Sequence, residues 1–292
     1  MQGAHVENAD LSRCDMSNMS ASEADFSRST MVEVDLSQSD IDRSKMVEVD
    51  ARGARLPLEM VEVDMSSANL SETDVRGRRM VRCVMRGARL ASSDMREMEL
   101  SSSDVRGADM SLAKMSGARL PLELERVNLS GVDLRDLDLS DHDLTGANLS
   151  GANVSGARLP LKLEGVNLSG VDLRDLDLSG HSLSGANLSG ANVSGARLPR
   201  KLARANLSGH DFSNQDLSDH DLSGANVSGA RLPRKMQRVN LSGVDLRDRD
   251  LSDTKITLAN LSGANLEGAK LSFTNLSGAN LSGANLSYTK LS

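Results

Sequence analysis

Tryptophan is absent from the 292 residues, and one tyrosine and three phenylalanines bring the aromatics to only 1%. A conventional globular core, which draws much of its buried area from such side chains, is therefore not expected. No apolar run is long enough to span a membrane or to form a signal core, so no membrane association is expected and the cytoplasm is the default compartment. Charge of one sign is also scarce: the formal net charge is −7, with 21 acidic and 16 basic side chains in residues 1–120 and 20 and 18 in residues 121–292. Neither half should attract nucleic acid directly. Proline occurs only five times and cysteine twice.

What the chain does have is a period of five. Between Ile256 and Ser292 a leucine or isoleucine stands at 256, 261, 266, 271, 276, 281, 286 and 291, with Ala-Asn-Leu-Ser-Gly at Ala259 and Ala279 and close copies starting at Ala264 and Ala284. On an α-helix five residues rotate by about 500°, about 140° net, so the leucines define no buried stripe. On a flat strand five is odd, and successive leucines fall on opposite faces. The period is satisfied if the chain turns a corner in each pentad and brings every leucine back to a common axis. Glycine two places after the leucine suits such a corner.

With the leucine position called i, the alanines lie at i−2 and share its inward direction, while i−1, i+1 and i+2 face out. This pattern resembles the pentapeptide-repeat family, written A(D/N)LXX, and the resemblance extends over essentially the whole chain. It implies an all-β fold, a right-handed quadrilateral β-helix of about fifteen four-sided coils, roughly 70 Å long at ordinary strand spacing, with no capping helix. One such domain over 1–292 is expected, in three blocks: irregular methionine-rich repeats over 1–120, duplicated two-coil blocks over 121–233, and regular repeats over 234–292.

The five prolines mark one event. After Ala-Arg-Leu-Pro at Pro57, Pro121, Pro160, Pro199 and Pro233 the next i residue comes four places on instead of five. A side shortened by one residue and an inserted four-residue loop both fit, and the short side is favoured, because the 39-residue spacing of Pro121, Pro160 and Pro199 then equals two whole coils. In the first block methionine is frequent at i, which suggests looser packing. Cys14 and Cys83 both fall at the small inward i−2 site, more than three coils apart, so two core thiols and no disulfide are expected.

Departures from small-inside are where function is expected to lie. Leu122, His142, Leu161, His181, Arg200 and His220 occupy i−2 in one column, with Leu137, Leu176 and Gln215 in the next. None suits a tube tuned to alanine, so that corner should bulge or turn them outward. Around them stand Asp138, Asp141, Asp143, Asp177, Asp219 and Asp221, and this acidic, histidine-bearing corner is the candidate interaction site. Metal binding there is a minor alternative, since equivalent histidines two coils apart would be about 10 Å from each other, too far to share an ion. No cofactor and no enzymatic role are expected: Ser, His and Asp recur by repetition, without a unique nucleophile and base.

The function expected is a structural or protein-interaction scaffold, whose protein partners the sequence does not name, with end-to-end self-association through Phe273, Leu286, Tyr288 and Leu291. The family resemblance implies an alternative, because some of its members mimic duplex DNA and bind DNA gyrase or another type II topoisomerase.

Overall fold

A computed structural model describes residues 1–291. Every pentad repeats one local structure. Cys14 N–H donates to Leu11 O at 3.1 Å, closing a turn over residues 11–14 whose third residue, Arg13, has a φ of 60°. A positive φ at that place alone is the signature of a type II turn, in which the i+2 residue takes up the left-handed region. Glycine often fills it, and elsewhere arginine, glutamate and aspartate accept it.

Between turns the i−1 residue pairs in parallel with the i−1 residue four pentads later. His5, Asp25, Lys45, Asp64, Val84 and Asp104 form one such ladder, with steps of 20 residues except for 19 from Lys45 to Asp64. Pro57 lies in that step. The same 19-residue step separates Asp109 from Asn128, Ser182 from Lys201 and Asp216 from Lys235, each across a proline. At these four prolines one side is therefore shortened by a residue, and no loop is inserted. Proline has no N–H to give to a ladder, which is why the interruption falls there. Two pieces are long enough to count as strands, β1 (Glu59–Val61) and β2 (Arg79–Val81), paired in parallel with Met60 opposite Met80. No helix occurs among the described residues.

Most main-chain donors of a pentad are engaged. In the pentad around Leu11, Leu11 N–H donates to Thr30 O at 2.7 Å, Arg13 N–H to Val32 O at 2.8 Å, and Cys14 N–H closes the turn. Ser12 N–H is taken by Asp10 Oδ1 at 3.0 Å. One ladder step on, Thr30 N–H donates back to Ala9 O at 2.9 Å. Asp or Asn at i−1 thus has a local task, supplying the acceptor for the one amide that the turn leaves free.

The interior is built from the i and i−2 side chains. Phe26, Met31, Leu36, Met46, Met65, Met80, Met85, Met95 and Met110 are fully enclosed. Several hydroxyls at i−2 are satisfied in a regular way. Ser93 Oγ donates to Leu70 O at 2.8 Å, Ser103 Oγ to Met80 O at 2.8 Å and Thr274 Oγ1 to Leu251 O at 2.7 Å, each 23 residues back. His210 uses the same acceptor type, its Nε2 lying 2.7 Å from Leu188 O, and its ring lies tilted by 45° against that of Phe212, with centroids 5.6 Å apart. Cys83 is buried as expected, but Cys14 is exposed, a correction to the reading of two core thiols. It belongs to the first turn of the ladder, where no earlier rung covers the i−2 site.

Two compact units divide the chain, Met1–Pro160 and Leu161–Ser292, and each has this construction.

Candidate interaction surfaces

The outward positions carry three recurring devices. The first joins Asp at i−1 to Arg at i+1 of the same pentad. Arg76 donates from Nε and Nη2 to Asp74 at 2.9 and 2.6 Å, and Arg135 grips Asp133, Arg174 grips Asp172 and Arg247 grips Asp245 with the same 2.6 Å contact from Nη2. The fork of the guanidinium matches the carboxylate edge. Hydrogen bonding from Arg76 holds the Asp74 carboxyl at a pKa of about 2, against the opposing effect of partial burial.

The second device is an amide ladder. Asn187 Nδ2 donates to Asn167 Oδ1 at 3.0 Å, Asn206 to Asn187 at 2.9 Å and Asn226 to Asn206 at 3.1 Å. Elsewhere the first acceptor is a carboxylate: Asn128 donates to Asp109 at 2.8 Å, and Asn240 to Asp221 at 2.9 Å.

The third belongs to the prolines. The arginine two places before each one is ion-paired with an acid 20 residues earlier: Arg55 with Asp35, Arg119 with Glu99, Arg158 with Asp138, Arg197 with Asp177 and Arg231 with Asp211, at 3.1 to 3.6 Å. The side that loses a backbone hydrogen bond is fastened by a charge pair beside it.

These devices change the character of the expected corner. Leu122 is 60% and Leu161 64% exposed, and Arg200 is exposed, so residues that follow a proline do turn outward. His142, His181 and His220 stay half-buried, as do Leu137, Leu176 and Gln215. His220 Nδ1 lies 2.9 Å from Ser218 O, whereas Nδ1 of His142 and of His181 is buried without a hydrogen-bond partner. The residues just before these two histidines, Asp141 and Gly180, stand outside the left-handed region that their equivalents occupy.

The acids are largely engaged. Asp138 and Asp177 pair with Arg158 and Arg197, and their carboxyls are held below the usual range first by hydrogen bonding from Ser140 and Ser179. Asp219 is gripped at 2.6 and 2.7 Å by Arg238, which lowers its pKa. Asp143 caps Thr145 N–H at 2.8 Å, and Asp221 caps Ser223 N–H at 3.0 Å. Three of the six acids of the expected corner are thus ion-paired, and two cap backbone amides.

Phe273 and Tyr288, at outward sites, are each 85% exposed, and Leu286 and Leu291, at i, are exposed as well. Among the described residues, three metal-competent side chains converge only at His5, Glu7 and Asp25, on an exposed face away from the corner.

Two signals in the sequence were not read. Counting charge by halves conceals that residues 1–74 hold 16 acidic and 6 basic side chains, a net −10, whereas residues 75–93 hold six arginines and no acid. Arg78 and Arg249 both occupy i−2, half-buried in sites meant for alanine. A finer window and a count of pentads would have found both.

The parallel ladders, the pentad turns and the enclosed i column define a β-helix repeat protein. A family model for pentapeptide repeats matches in eight copies, over residues 1–38, 22–56, 79–117, 123–159, 162–200, 201–232, 235–272 and 259–292. The chain belongs to the pentapeptide-repeat family, whose members are right-handed β-helices.

Solved structures that it matches include HetL, a pentapeptide repeat protein involved in heterocyst differentiation regulation in the cyanobacterium Nostoc sp. strain PCC 7120, with 25% identity over 97% of this chain and 87% of that one and a TM-score of 0.18. Full-length QnrB1, a plasmid-mediated fluoroquinolone resistance protein, is 15% identical over 78% of this chain and 91% of that one, with a TM-score of 0.22. Rfr23 from the cyanobacterium Cyanothece 51142 is 22% identical over 56% of this chain and 88% of that one, with a TM-score of 0.14. Scores this low carry no argument about role. No curated protein matches the chain. Among the described residues no helix is long and apolar enough to cross a membrane.

Proposed function

We propose that the chain is a non-enzymatic scaffold, a quadrilateral solenoid with about four pentads to a coil that docks protein partners through its outward faces. The observation that carries this reading is the engagement of its surface polar groups with one another. Side chains at i−1 cap turns, grip arginines or extend amide ladders, so the surface is held in fixed register and presents a rigid pattern at little cost in ordering. Repeat proteins in general use such regular surfaces for recognition. The experiment is capture of partners on the immobilised chain, with a variant carrying Arg135→Gln, Arg174→Gln and Arg247→Gln as the control for surface recognition. Loss of capture in the folded variant supports docking through the faces, and a chain that retains no partner at physiological salt argues against a scaffold.

A second reading, a DNA-mimicking binder of DNA gyrase or another type II topoisomerase, is favoured by one observation. The net −10 over residues 1–74 gives that segment the charge of a polyanion, although the later residues are nearly balanced. Titrating gyrase supercoiling with the purified chain, with and without a fluoroquinolone, tests it. Inhibition or protection that salt weakens supports mimicry, and no effect at concentrations up to tens of micromolar removes it.

A further inference from the structure

Two of the five proline sites read Arg-Leu-Pro-Arg-Lys, at 197–201 and 231–235, where the other three place Leu58, Leu122 and Leu161 after the proline. At both the shortened side opens a notch. The one beside Pro233 has a volume of about 510 Å³ and is lined by Arg231, Arg234, Arg249, Asp250 and Asp253 among others. The one beside Pro199 has about 520 Å³, with Arg197, Arg200, Gln215, Asp216 and His220 on its walls.

Arg249 sets the character of the first. As an i−2 residue it starts toward the interior, and its guanidinium is then fixed by two main-chain carbonyls, Nη2 to Val227 O at 2.7 Å and Nη1 to Ala230 O at 3.1 Å. Carbonyls orient the group without neutralising it, and it forms no ion pair among the described residues. The other two arginines are only loosely matched: Arg231 stands 3.6 Å from Asp211 and Arg234 4.0 Å from Asp253. Asp250 is drawn to Lys270 at 3.4 Å. Three guanidinium groups thus share one notch with Asp250 and Asp253. The half-buried one, Arg249, is held by carbonyls and not by a carboxylate, so its charge is oriented and free to meet a further anion.

We propose that the Pro233 notch binds a phosphoryl oxyanion, either free inorganic phosphate or the monoester of a small molecule, held between Arg231, Arg234 and Arg249. Guanidinium forks match the spacing of phosphate oxygens, and a fixed donor loses less freedom on binding than a mobile one. The volume exceeds that of a phosphate and leaves room for a small organic substituent. The Pro199 notch is the internal comparison, since Gln215 stands there at the i−2 place that Arg249 fills, and it should bind the same group more weakly.

The test is calorimetric or phosphorus-NMR titration of the full chain with inorganic phosphate and, separately, with O-phosphoserine. Saturable binding is expected, weakened about tenfold or more by Arg249→Gln, which converts one notch to the other's composition, and by Arg234→Leu, which installs the residue found at the other proline sites. Arg43→Gln, outside the notch and paired with Glu23, should leave it unchanged. Tighter binding of phosphoserine identifies a monoester as the ligand, and equal or tighter binding of phosphate identifies the free ion. Because leucine already follows proline three times in this chain, Arg234→Leu should retain the wild-type melting temperature even if Arg249→Gln does not. Absence of saturation, or affinity that neither substitution changes, overturns the proposal.

Discussion

Asn206 donates its side-chain amide to Asn187 Oδ1 at 2.9 Å and accepts that of Asn226 at 3.1 Å. Each rung of this ladder must be donor on one side and acceptor on the other, which an amide can be and a carboxylate cannot. Aspartate is tolerated only where nothing precedes it in the chain of donors, as at Asp109 and Asp221. Asn206→Asp should therefore destabilise the fold by about 1–2 kcal/mol at pH 7, since a carboxylate would face the Asn187 oxygen. The protonated carboxyl can still donate, so the fold raises the pKa of the new group. A raised acid stabilises fully below its unfolded pKa and loses that contribution as pH rises through the folded value, so the deficit should be small at pH 3 and grow toward neutrality. Denaturant titration at the two pH values checks this, and an equal deficit at both would count against the donor argument.

The Asp74–Arg76 grip gives the opposite dependence. Its carboxyl is held at about 2, below the ordinary value of 3.8, so the stability it contributes is present above about pH 4 and lost as pH falls through 2. The side chains are each 54% exposed, and solvent screening keeps the pair to at most about 1 kcal/mol. Asn at 74 would keep the acceptor that takes Arg76 N–H at 3.1 Å, whereas alanine would lose it. Asp74→Asn should thus cost less than Asp74→Ala at pH 7, and only the alanine variant should remain destabilised at pH 2. Melting curves in acid would separate charge from cap, and identical behaviour of the two variants would show that the cap contributes nothing.

How much of this was legible depends on how far each feature reaches along the chain. The period of leucines reports the interior directly, because every i site meets the same axis, whereas spacing only favoured the short side over an inserted loop, and the ladder steps decide between them. Asp-Leu-Arg at 133–135 and 172–174 was also plain to see, yet its meaning is geometric: two outward residues flanking an inward one lie within reach of a guanidinium. The pairing of Ser93 with Leu70 O, or of His210 with Leu188 O, needs the rung register, which the five-residue period does not supply. For the same reason the acids around His142 and His181 looked free, although the arginines that engage Asp138 and Asp177 lie 20 residues on.

Gly151 and Gly156 offer a controlled comparison of backbone strain with crowding. Both have positive φ, 63° and 72°. A Cβ at Gly151 would meet nothing within 4 Å, whereas one at Gly156 would come 2.2 Å from Asp136 Oδ1. Gly151→Ala should cost about 1 kcal/mol, the ordinary penalty for a left-handed L-residue. Gly156→Ala should cost more, because Asp136 must also rotate away. The added Asp136→Ala change should bring the Gly156 penalty down to that at Gly151. A double-mutant cycle measures the coupling, and additive losses would rule out the contact as its source.

The two cysteines should differ sharply toward a thiol reagent. Cys14 is exposed, whereas Cys83 is 1% exposed, directs its Sγ to Met60 O at 3.4 Å and has its thiol pKa pushed up to about 11 by burial. The thiolate is the reactive form, so Cys83 is protected twice, by access and by protonation. One equivalent of a disulfide reagent should react promptly in the native protein, and the second only as the rungs around Cys83 open. Its rate should then rise with denaturant in step with local opening, which makes this thiol a probe of stability in the middle of the first unit. Prompt reaction of both thiols would mean that the Cys83 site is open to solvent. Reaction of neither, reversed by a reductant, would mean that the two are joined.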